Sequence, residues 1–265
     1  MRLAFGLEYN GSGFHGWQYL GANRSVRTVQ GCVAHALSEV ASHPVGPVCA
    51  GRTDSGVHAL GQVIHIDTPS QRTERGWVLG LNCLLPGDVS ACWAREVPED
   101  FHARYSATGR AYRYVILNAQ ARSGMLAGRV MWDYRPLTVD AMHEAAQSLL
   151  GEHDFSAFRD AECQSKTAVR NLRRLDVTRH GEFVIIDAEA NAFLHHMVRN
   201  LIGVLLRIGQ GKAPAGWARE VLESRDRRRG GITAPAAGLY LARVAYPDRY
   251  DIPEPRITGW PDVLG

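Results

Sequence analysis

The hydrophobic pattern of this chain changes period along its length, from every second residue to every third or fourth and back again, in both halves. Arg2 to Tyr9 (RLAFGLEY) alternates as a strand does and stops at Asn10-Gly11-Ser12-Gly13, a loop signal. Thr28 to Ala41 repeats at helical spacing behind Thr28, a good N-cap. Pro47 to Ala50 and Gly61 to Asp67 read as strands, Trp77 to Leu85 as a helix stopped at Pro86-Gly87, and Val89 to Val97 and Ala103 to Thr108 as extended. The second half repeats the mixture. Arg110 to Leu117 reads as a strand, Val139 to Leu150 as a helix, and Leu172 to Thr178 with Glu182 to Ala188 as a hairpin about Arg179-His180-Gly181. Phe193 to Ile208 (FLHHMVRNLIGVLLRI) is the most apolar helix, ended by Gly209-Gln210-Gly211; a helix over Ala215 to Ser224 and a strand over Gly238 to Tyr246 follow. Such a chain folds as α+β, and the similar make-up of the halves predicts two units, residues 1–107 and 108–265, with the boundary near Ser106 to Arg110.

Composition narrows the class. With 265 residues, 45% hydrophobic and 22% charged, the chain can bury a real core. No apolar run approaches the roughly 20 residues needed to span a bilayer. The start, MRLAFGLEYNGSG, turns polar too early for a secretory signal, which predicts a cytoplasmic protein. Five cysteines without a C-x-x-C pair argue against a disulfide framework or a structural zinc site and predict reduced, mostly buried thiols. Net charge is +3, yet Lys166 and Lys212 are the only lysines, so arginine carries almost all of the positive charge. Arginine forks onto phosphate and stacks on bases, which suits RNA, although a bias this broad also follows from genome base composition.

The stretch Gly51 to Asp67 (GRTDSGVHALGQVIHID) sets Arg52 and Asp54 among small residues just ahead of a strand. A carboxylate there, with glycines that let a ligand approach the backbone, suits a nucleophile or general base. Arg52, two residues earlier, would share the face of Asp54 and could pair with it. A structural turn is the alternative, and His58 is either a base or a turn or packing histidine. Tyr112 and Tyr114 alternate with arginines as aromatics do on a half-buried strand. His195 and His196, with His153 as a third ligand, raise a metal reading; neighbours on a helix point about 100° apart, which argues against a shared ion. Arg170, Arg173 and Arg174, and Arg225 with Arg227 to Arg229, are either phosphate contacts or a solvated face.

Taken together, YNGSGFHGWQ with TVQG, GRTDSGVHALGQV, LNCLLP, FHARYSATGRAYRYVI, AFLHHMVRNLIG and TAPAAGLYL resemble, in order, the segments of the TruA family of tRNA pseudouridine synthases, from about Leu3 to Tyr246. That resemblance implies a pseudouridine synthase fold, in which two related halves join antiparallel sheets flanked by helices around a central basic cleft. It implies isomerisation of uridine to pseudouridine at positions 38 to 40, in the anticodon stem-loop of tRNA, by a homodimer, with no cofactor and no metal. Asp54 matches the catalytic aspartate. Arg52 matches the arginine that pairs with it and helps hold the flipped base, and Tyr112 the active-site tyrosine. Phe193, Met197, Val198 and Arg199 match the helix that lines the family's cleft, where the apolar residues and Leu239 either wall the uracil pocket or form core and Arg199 reaches a phosphate or Asp54; His58 joins these as a substrate-binding candidate. Gly109 and Arg110 stand where more basic residues are common in the family.

Overall fold

The computed structural model describes residues 1–19, 21, 26–163 and 165–255. Among them the strands are β1 (Arg2–Tyr9), β2 (Val48–Cys49), β3 (His58–Asp67), β4 (Val89–Val97), β5 (Gly109–Leu117), β6 (Met131–Trp132), β7 (Gly151–Asp154), β8 (Val169–His180), β9 (Phe183–Ala190) and β10 (Leu239–Ala245). The α-helices are α1 (Val29–Ala41), α2 (Glu74–Leu84), α3 (Val139–Gln147), α4 (Met197–Gly209) and α5 (Trp217–Ser224). None is long and apolar enough to cross a membrane. The chain forms two compact units: Met1–Thr108 together with the chain from Tyr240 onward, and Gly109–Leu239. It therefore crosses between units twice, where the sequence pattern suggested one crossing.

The first unit orders its strands β4-β1-β3-β10, with β2 on β3. β1 runs antiparallel to both neighbours, but β10 lies parallel to β3, with Tyr240 opposite His58. The sheet is thus mixed rather than antiparallel. Thr28 and Thr73 start α1 and α2 by accepting the N–H groups of Gly31 and Gly76, as the N-cap rule requires. α2 packs on β4 and α1 on α2, and Phe5 meets Trp77 edge to face at 5.8 Å in the core between sheet and helices.

One expected strand is not there. Ala103 to Ser106 form a turn, because His102 gathers their backbone: its Nδ1 accepts the N–H groups of Arg104 and Tyr105 at 3.1 and 3.2 Å, and Ser106 bonds it twice. Behind it His65, only 4% exposed, accepts the Ala103 N–H at 3.2 Å. Burial, then His102 and Arg2, push the pKa of His65 down to about 4. The ordinary value is about 6.5, so between those limits the unfolded chain takes up the proton and the fold does not. Stability is therefore whole above about pH 6.5 and falls as pH drops toward 4. Urea unfolding at pH 7 and pH 5 is expected to differ by roughly 1–2 kcal/mol from this group, and His65→Gln to remove that part of the difference.

The second unit orders its strands β5-β9-β8-β7, all antiparallel, with β6 parallel to the end of β5. Arg113 and Asp187, paired across β5 and β9, also bond through two atoms each at 2.8 and 2.9 Å. α3 packs on β8 and on α4. α4 is buried nearly all round, as its composition demands, but starts at Met197 rather than Phe193. His196, at φ 59, turns the chain into it. All five cysteines are free; Cys83 is exposed and only Cys92 is buried, so the expectation of mostly buried thiols holds for Cys92 alone.

Candidate active site

Asp54 sits in the connection from β2 to β3, and that connection is tied down on every side within its unit. The carbonyl of Thr53 accepts the Trp17 N–H at 2.9 Å; the N–H of Gly56 and the hydroxyl of Ser55 both donate to the carbonyl of Phe14; and Val57 N–H closes back on the Asp54 carbonyl at 3.1 Å. Two glycines make this approach possible. A Cβ on Gly11 would stand 2.0 Å from the Val57 carbonyl oxygen, and one on Gly16, whose φ is +83°, would stand 2.7 Å from that of Thr53. Gln62, fully buried, holds the start of the turn: its Nε2 donates to the Gly51 carbonyl at 2.6 Å, and the Thr53 and Tyr9 hydroxyls share a hydrogen bond of 2.9 Å beside it. The half-buried carboxylate of Asp54 thus rides on a backbone with little freedom to move, which is what a group of fixed aim needs.

Arg52 is exposed on the same turn, and its charge is felt at the Cys49 thiol, which burial nevertheless pushes up to about 11. His58, the candidate substrate contact, starts β3. It is fully buried, its Nδ1 accepts the Gly11 N–H at 3.0 Å, and its ring stacks on Tyr240 at 4.5 Å. Its part is to brace the loop that carries Gly11.

In the second unit, Tyr112 on β5 is half-buried and meets Phe193 edge to face at 5.1 Å, so the structure brings those two together. Tyr114, two residues on, is fully buried and donates its hydroxyl to the Pro235 carbonyl at 3.0 Å; burial raises its pKa. Arg199 is zipped to the 232–236 segment: its Nε donates to the Ala234 carbonyl, and the Ala234 N–H donates to the Arg199 carbonyl. Met197 is fully buried, and Val198 and Leu239 are 6% and 5% exposed. All three side chains belong to the buried core.

His195 and His196 depart from the helical geometry expected of them. They precede α4, and their rings stack at 4.0 Å. The Nδ1 of His196 lies 2.7 Å from Asp160, whose carboxyl is held below its ordinary value chiefly by the Glu162 N–H and then by this histidine. His153 instead bonds the Leu150 carbonyl.

The basic clusters divide. Arg170 is 8% exposed and donates to the carbonyls of Thr167 and Val169, and Arg227 donates to the Gly231 carbonyl, Asn200 and Thr233. Both make internal ties. Arg173, Arg174, Arg225, Arg228 and Arg229 are exposed. Sequence reasoning missed Gln62, the two glycines at 11 and 16, and Asn200. A lone amide inside an apolar strand or helix was the available signal: Asn200, 1% exposed, donates to the Phe158 carbonyl and accepts from Arg227 and Thr233.

A family model described as tRNA pseudouridine synthase matches residues 7–106 and 145–247. The chain is 52% identical over 252 residues to the tRNA pseudouridine synthase A of Legionella pneumophila (strain Corby), covering 95% of each. It is 50% identical over 269 residues to that of Pseudomonas aeruginosa, covering all of this chain and 94% of the relative. The corresponding figures for Escherichia coli O1:K1 / APEC are 50% over 254 residues, with 96% and 93% covered. Among solved structures, a chain of a Cbf5-Nop10-Gar1 complex aligns with a TM-score of 0.32 and 10% identity over 77% of this chain and 45% of its own, too slight a likeness to argue from.

Proposed function

Because this chain belongs to the tRNA pseudouridine synthase family, we propose that it isomerises uridine to pseudouridine at positions 38 to 40, in the anticodon stem-loop of tRNA, with Asp54 as the nucleophile. The observation that carries this reading is the braced turn: a half-buried carboxylate held by backbone bonds and two glycines, in the segment that resembles the family's catalytic motif. The reaction asks for little else. The carboxylate attacks ribose C1′, and the N1–C1′ bond breaks with its electron pair leaving on the uracil. The base turns, C5 attacks C1′ and expels the carboxylate, the C5 proton leaves and N1 takes up a proton. Nothing is oxidised or reduced, and the mass is unchanged.

The remaining residues divide the work. Tyr112 is the group to stack on the freed uracil or receive the C5 proton, and its edge-to-face contact with Phe193 supports a fixed ring. Arg52, exposed beside Asp54, is available to occupy the place of the flipped base, offsetting part of the few kcal/mol of unstacking. Arg199 completes the uracil site, and the exposed arginines serve the tRNA backbone. The protein acts in the cytoplasm as a homodimer.

Incubation of the purified protein with unmodified tRNA is expected to give RNA of unchanged mass and carbodiimide-dependent primer-extension stops one nucleotide 3′ of positions 38 to 40. Release of free uracil would mark a glycosylase instead, and an unmodified tRNA would refute the reading.

A further inference from the structure

The turn after β4 displays a ring that the reaction chemistry does not use. Tyr105 is 76% exposed, more than Tyr134 at 56%, Tyr19 at 48% or Trp132 at 41% among the described residues. Yet it is not a loose side chain on a loose loop. Its backbone N–H and that of Arg104 are both held by His102 Nδ1, Ser106 closes the turn on His102, and the Ala103 carbonyl accepts the Tyr246 hydroxyl at 2.6 Å. Phe101 anchors the base of the turn, fully buried against Tyr246 and Tyr250 at 5.1 Å each. The His102 ring lies against Tyr105 at 4.4 Å, with an interplanar angle of 33°, and the Arg104 guanidinium is 5.7 Å from its centroid. Burial, with the charges of Arg2 and Arg104, keeps the pKa of His102 below its ordinary value, consistent with the acceptor role of Nδ1.

A tyrosine so exposed on so rigid a support, with a guanidinium alongside, has the chemistry of a base-stacking site. A protein partner fits poorly. Pro98, Glu99, Asp100, Arg104 and Thr108, its neighbours along the chain, are exposed and mostly polar, and one ring is no apolar interface core. Its position favours the substrate: Ala103 of the same turn donates to His65, which pairs with Val48 on β2, the strand that leads into the turn carrying Asp54.

We propose that Tyr105, backed by His102 and flanked by Arg104, is a stacking platform for an unpaired tRNA base other than the uridine being isomerised. The proposal rests on tRNA being the substrate. Stacking affects binding and not the broken bond, so Tyr105→Ala is expected to raise the Kd for unmodified tRNA about 5- to 150-fold. The single-turnover rate at saturating tRNA should stay within about twofold, and Tyr105→Phe should bind as wild type does. Ultraviolet cross-linking of tRNA carrying 4-thiouridine should yield an adduct on the peptide containing Tyr105. Wild-type binding by the alanine variant, with its thermal midpoint unchanged, overturns the platform. So does a changed oligomeric state by light scattering with tRNA affinity intact, which would assign the ring to a protein contact. A wild-type protein that neither binds nor modifies tRNA defeats the functional reading instead.

Discussion

Asp54→Asn is expected to bind unmodified tRNA nearly as wild type does and to isomerise it at least about 10⁴-fold more slowly at saturation, the scale on which removal of a nucleophile acts. The substitution keeps the shape of the side chain. The bonds that hold the turn run through the carbonyls of Thr53, Asp54 and Phe14 and the N–H groups of Trp17, Gly56 and Val57, none of which it touches. On the proposed mechanism, what disappears is the capacity to form and then break an ester at C1′, since a neutral amide is a poor nucleophile. Rapid-quench assays at saturating tRNA, beside a binding titration, measure the two quantities separately. Turnover within 100-fold of wild type would remove Asp54 from the role.

Gly16→Ala should damage the same reaction from a residue that need not touch RNA. The φ of +83° is a conformation that side chains rarely adopt, and the added carbon would lie 2.7 Å from the Thr53 carbonyl oxygen and 3.1 Å from the backbone carbon of Asp54. All of those neighbours are backbone, so the turn itself must move. A displacement near 1 Å at a catalytic group costs on the order of 10²-fold in rate, and left-handed backbone costs a non-glycine residue about 1–3 kcal/mol. The expected variant is folded, less stable by about that amount in urea, and slow at saturating tRNA. Gly46→Ala, which meets nothing within 4 Å, is the control and should behave as wild type. Wild-type turnover by the Gly16 variant would show that the bracing of the turn is unimportant.

The parts of this fold that a local pattern can specify were readable. β1, α1, α2 and the β8–β9 hairpin follow from hydrophobic period, caps and turn residues, and the motif around Asp54 could be found because glycine, arginine and aspartate cluster there. What a window of sequence does not contain is partnership at a distance. Ala103 to Ser106 read as extended because the histidine that pulls the turn together shows no period. Met197 and Val198 read as pocket lining because an apolar helix side has the same composition whether it faces ligand or core. Arg170 and Arg227 read as phosphate contacts or a solvated face, yet Arg170 finds the carbonyls of Thr167 and Val169 at the start of its own strand, and Arg227 finds the Gly231 carbonyl and the Asn200 amide of α4. The parallel pairing of β10 with β3 was invisible for the same reason: its two sides lie at opposite ends of the chain.

That pairing orders events during synthesis. Tyr240 comes alongside His58, and its ring is what His58 leans on while bracing Gly11 against the turn that carries the carboxylate. A nascent chain still inside the ribosome at residue 240 has made Asp54 but lacks the ring that His58 leans on, a contact of long sequence separation that is slow to close. The turn around Asp54 is therefore fully braced only after β10 has joined β3.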